Sequence, residues 1–91
     1  MVTSGRIDVH HHVLPKFYIE AQRSGGITST AYRGFPEWTP QHSLDVMKNE
    51  GIATSVLSFT SPGIWYGDIE QTKALARQCN DYLAGLAEDH P

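Results

Sequence analysis

The stretch Ile52–Phe59, IATSVLSF, restricts the fold more than any other. Every position is apolar or small, so neither face is written for water. A strand of that kind is buried on both sides, the habit of parallel sheets covered by helices. Parallel strands also need a long crossover between them. The preceding sequence supplies one.

An earlier strand is read at Arg6–His10, RIDVH, with Ile7 and Val9 on one face and Asp8 and His10 on the other. Pro15 ends it, and PKFYIEAQRSGG follows as a short helix in which Phe17 pairs with Ala21 and Gly25 or Gly26 stops the run. Residues 24–38 are a loop by composition, rich in Gly, Ser and Thr, and they carry Tyr32, Arg33, Phe35 and Trp38. In TPQHSLDVMKNEG, Thr39 can cap a helix, Pro40 suits its first position, Leu44 and Met47 give a buried stripe, and Gly51 terminates it. After the strand at 52–59 comes the loop TSPGIWYG. A last helix then opens on Asp68 and Gln71 in a capping-box pattern and carries Ile69, Leu75, Cys79, Leu83 and Leu86 at helical spacing.

The order strand, helix, loop, helix, strand, helix predicts an α/β fold with parallel strands. Ile7, Val9, Leu44, Met47, Val56, Leu57, Leu75, Cys79 and Leu83 are the expected apolar cluster. Two strands make a poor sheet on their own. The expectation is therefore that residues 1–91 are one piece of a longer domain.

Composition excludes several function classes. Net charge is -3 without a basic patch, which argues against nucleic acid as a partner. No apolar run approaches the ~20 residues of a membrane span, and MVTSGRID lacks the pattern of a signal peptide. With a single cysteine, Cys79, an intrachain disulfide is impossible and a reducing, cytoplasmic setting is expected. Cys79 falls on the apolar stripe of its helix and reads as core.

RIDVHHHVLP remains. Residues two apart on a strand point the same way, so Asp8, His10 and His12 share one face and Ile7, Val9, His11 and Val13 the other. Two imidazoles at i and i+2 near the C-terminal end of a strand can grip one metal ion, and ligands of parallel α/β folds bind outside those strand ends. A patch of solvated histidines is the plain alternative; a purification tag is not, because three histidines between IDV and VLP are too few. Two histidines also leave a zinc shell incomplete. His42, in the first turn of its helix, and His90, near the end, are poorly placed to complete it. Asp8, a further candidate for the shell, is read instead as holding one of the imidazoles by hydrogen bond, with a purely structural role at the start of the strand as the alternative. His11 is expected to bond locally.

RIDVHHHVLPKFY resembles the opening motif of the amidohydrolase superfamily, in particular the branch of aminocarboxymuconate semialdehyde decarboxylase and the resorcylate-type decarboxylases. The likeness continues through GIATSVLSFTSPGIWYGD and TKALARQCNDYLAGLAEDHP, and so covers nearly the whole chain. It implies the first βα units of a metal-dependent (β/α)8 barrel, which normally runs to about 250 residues. It also implies a divalent metal, zinc first, held by His10 and His12. The activity implied is hydrolase or decarboxylase (carboxy-lyase) chemistry on a small carboxylated or cyclic substrate. Homo-oligomers of the complete protein are compatible with it. The family's further metal-binding histidine and its acid–base aspartate lie on later strands, so no catalytic residue is assigned here and the 91-residue chain by itself is expected to be inactive. Trp65 and Tyr66 after the second strand, and Arg33 in the long loop, are candidate substrate contacts, with packed aromatics and a solvated arginine as the plain readings. The competing class is a small non-catalytic module that binds a metal or a partner through the histidines.

Overall fold

A computed structural model describes residues 5–27, 34–60, 63–65 and 67–91. Five elements follow in the expected order: β1 (Arg6–Val13), α1 (Lys16–Ser24), α2 (Pro40–Glu50), β2 (Ile52–Phe59) and α3 (Ile69–Asp89). The two strands are parallel neighbours. No helix among the described residues is long and apolar enough to cross a membrane.

The helix ends are written locally. Thr39 accepts the His42 backbone N–H at 3.2 Å with Pro40 at the first helical position. Gly51 closes α2 at φ 67°, a left-handed conformation that a side chain would resist. Asp68 caps α3 by accepting the N–H groups of Glu70 and Gln71 at 2.9 and 3.2 Å. These bonds satisfy donors that the first turn of a helix leaves unpaired.

Register is not uniform along the pair. Asp8 stands opposite Ser55 and His11 opposite Leu57, so β1 spends one residue more than β2 over this span. Such a bulge inverts the alternation on either side of it. Regular pairing then resumes, His12 with Ser58 and Val13 with Phe59.

The core gathers at the C-terminal ends of the strands. Leu14, Tyr18, Leu75 and Cys79 are buried together, with Phe17, Ile19, Ala21, Phe35, Trp38, Phe59 and Ile64 packed around them. Tyr18 donates its hydroxyl to the Thr60 carbonyl at 2.7 Å and accepts the Gly63 N–H at 2.9 Å. Gln22, fully buried, donates to the Gly63 carbonyl at 2.6 Å. Through these bonds α1 fastens the segment that leaves β2.

The expected cluster is therefore corrected. Leu75 and Cys79 are core, but Ile7 and Val9 are 64% and 74% exposed, and Val56 is exposed as well. The helices cover the end of β1, where Val13 has no exposure, and leave its beginning bare. Leu44, Met47, Leu57 and Leu83 line a groove between α2, β2 and α3 instead of joining the core.

Candidate metal centre

Val13 and Leu14, both buried, anchor the end of β1 just after the histidines. The rings of His10 and His12 are exposed on the same side, with centroids 4.6 Å apart and planes at 85°. Their Nε2 atoms approach to 2.9 Å. His12 Nδ1 lies 3.1 Å from the Ser58 hydroxyl, its register partner on β2. With Nδ1–H donating to Ser58, His12 presents a bare Nε2 that accepts from His10.

The pair fits one divalent ion. Nitrogens that share an ion at about 2.0 to 2.1 Å each lie within about 4 Å of one another, and these two do. Ser58 gives His12 the outer hydrogen bond that fixes the tautomer of a ligating imidazole. Among the described residues no third His, Cys, Asp or Glu joins them. His42 and His90 are both exposed and stand apart from the pair.

Asp8 requires a correction. The bulge places it on the face of His11, away from the rings of His10 and His12. Its Oδ2 accepts from His11 Nδ1 at 3.0 Å, and its Oδ1 accepts the backbone N–H of His10 at 3.0 Å. The His10 amide first, then the His11 ring, hold the carboxyl below its ordinary value of 3.8. Asp8 thus grips the main chain of one candidate ligand and the ring of the histidine between the two.

His11 does bond locally, and further than expected. Its Nε2 lies 2.8 Å from Ser43 Oγ on α2, and Trp38 Nε1 donates to that same oxygen at 2.8 Å. An indole N–H can only donate. The assignment that uses every group is Trp38 N–H to Ser43, Ser43 O–H to His11 Nε2, and His11 Nδ1–H to Asp8. Carboxylate, imidazole and hydroxyl in that order also make a nucleophilic triad. Here Ser43 is buried and the indole proton occupies its oxygen, so the series reads as a brace.

Trp65 is 63% exposed beyond β2. Arg33 and Tyr66 lie outside the described residues. Cys79 is buried and burial pushes its thiol up, as a core cysteine requires. Sequence reading missed Ser43, Trp38 and Ser58. Only Ser58 left a signal, since parallel pairing puts a serine of β2 beside the His-x-His face.

The fold and the sequence point the same way: over the stretch it covers, the chain is similar in both to a solved amidohydrolase. It overlays a crystal structure of an amidohydrolase II with TM-score 0.88 and 37% identity, covering 96% of this chain and 28% of that one. Its curated relatives are decarboxylases. Decarboxylase yanB of Aspergillus niger is 39% identical over 88 residues, 94% of this chain and 24% of the relative. The 6-methylsalicylic acid decarboxylase of Penicillium expansum is 36% identical over 88 residues and is covered to 26%. The chain spans about a quarter of the length of the curated relatives it matches. No protein-family model matches it.

Proposed function

We propose that these residues are the first βα units of a (β/α)8 barrel and the metal-holding start of a metal-dependent decarboxylase. The substrate class is a small aromatic carboxylic acid. The observation that carries the reading is the convergence of His10 and His12 Nε2 at the end of β1. Its support beyond this chain is the set of decarboxylases, two of them named for 6-methylsalicylic acid, that match 94% of it. Decarboxylation is favoured over hydrolysis on that ground.

His10 and His12 would hold the ion as neutral imidazoles, and Ser58 would keep His12 in the tautomer that leaves Nε2 bare. When bound, a divalent ion supplies positive charge that orients a carboxylated substrate and stabilises the charge developing as carbon dioxide leaves. The proton that replaces the carboxyl group on carbon is assigned to no residue of this chain. Trp65, exposed just past β2, is offered as an apolar contact for a substrate ring, since ligand-binding loops of such barrels follow the strands.

The test is the protein read from the complete coding frame around these residues. It should contain stoichiometric divalent metal by elemental analysis and release carbon dioxide from 6-methylsalicylate or a related hydroxybenzoate. The variants His10→Ala and His12→Ala should lose both. A metal-free protein, or one whose decarboxylation survives both changes, would sink the reading.

A further inference from the structure

The brace behind the histidines has more reach than local packing needs. Four polar groups from β1, α2 and the segment before α2 close into one series: Trp38, Ser43, His11 and Asp8. Ser43 is 8% exposed, and the His11 side chain 10%. Each bond is 2.8 to 3.0 Å long. The series ends on the amide of His10, because the other oxygen of Asp8 accepts that N–H. The bulge is where this happens: the extra residue of β1 falls between Asp8 and His11. Without a bond at that point a bulged strand is free to slip by one residue, which would send His10 to the opposite face.

We infer that Asp8, His11, Ser43 and Trp38 are positioning residues for a metal they never touch. They lock the bulge of β1 and thereby hold His10 beside His12. This rests on the reading that His10 and His12 ligate a metal. It adds that the affinity for the ion is set in part from α2 and the segment before it, through a hydroxyl and an indole N–H on the far side of the strand. His11, between the two ligands, is the joint of the brace, with Nδ1 protonated and Nε2 bare.

Two measurements on the protein read from the complete coding frame decide it. The first is the nitrogen-15 spectrum of the histidine rings, which reports each tautomer directly. His11 should carry its proton on Nδ1, and Ser43→Ala should move the His11 Nε2 resonance. The second is titration with zinc chloride, followed on the same resonances of His10 and His12. Ser43→Ala and Trp38→Phe should each weaken zinc binding about tenfold, the low end for residues that support ligands. Their double variant should be little worse than either alone, because both cut one series. A His11 ring protonated on Nε2 overturns the proposal, as does zinc affinity within twofold of the parent in Ser43→Ala and Trp38→Phe. Should Ser43→Ala fail to fold, the parent spectrum and Trp38→Phe, which keeps the ring, still decide. His10→Ala and His12→Ala separate the premise from the inference. If they bind zinc as the parent does, or the parent shows no zinc shift at millimolar metal, the ligand reading itself is lost. If only they lose zinc, the ligands stand and the brace does not.

Discussion

His10, His11 and His12 are chemically identical, and their environments divide the work. His10 and His12 meet at Nε2 in solvent, while His11 points back to Ser43 and Asp8. In the protein of the complete frame, His10→Ala or His12→Ala should abolish stoichiometric metal. His11→Ala should keep the stoichiometry and lower the affinity, since it removes a support and no ligand. Equal loss at all three positions in elemental analysis would mean a loose histidine patch. Occupancy should also fall in acid, because a protonated imidazole cannot ligate. Cys79 sets a second pH dependence. Its thiol is held above the ordinary 9.0 by burial, so the folded state keeps a proton that the unfolded chain releases. Its stabilising contribution is whole below pH 9.0 and is lost as pH rises beyond it. Alkylation by iodoacetamide at pH 8 should accordingly be slow in the folded protein and fast in urea; equal rates would show Cys79 to be accessible.

At the scale of the element, the ends of α2 and α3 are decided within a few residues of sequence. Thr39→Ala removes the acceptor for the His42 amide and should cost about 1 kcal/mol. Gly51→Ala puts a Cβ on a backbone at φ 67° and should cost about 1 to 2 kcal/mol. Urea midpoints of the two variants measure both. β1 is different. Its alternation was legible, yet the bulge between Asp8 and His11 was not, because a bulge is fixed by what the partner strand offers. That one extra residue moved Asp8 from the face of His10 and His12 to that of His11, and with it the partner of the carboxylate.

At the scale of the whole molecule, the core sits over the strand ends and not along the strands. Leu75, 7% exposed and clustered with Leu14, Tyr18 and Cys79, should cost about 2 to 5 kcal/mol when cut to alanine. Val9→Ala should change stability by less than about 0.5 kcal/mol, because Val9 is largely exposed. Thermal unfolding of the pair tests the placement of the core; similar losses would mean that β1 is covered along its length.

What the sequence determined by itself is everything with a short physical range. Helix caps, the proline and glycine stops, the parallel character of IATSVLSF and the common side of His10 and His12 all follow from neighbours along the chain. The burial of Leu75 and Cys79 also followed, since a long amphipathic helix has one face to hide. Tertiary structure alone decided the rest. Ser43 and Trp38 lie 32 and 27 positions beyond His11 and carry no motif, and only the docking of α2 on the sheet brings them to its ring. The exposure of Ile7 and Val9 was equally out of reach: periodicity marks which side chains share a face, but whether anything covers that face depends on where the helices pack.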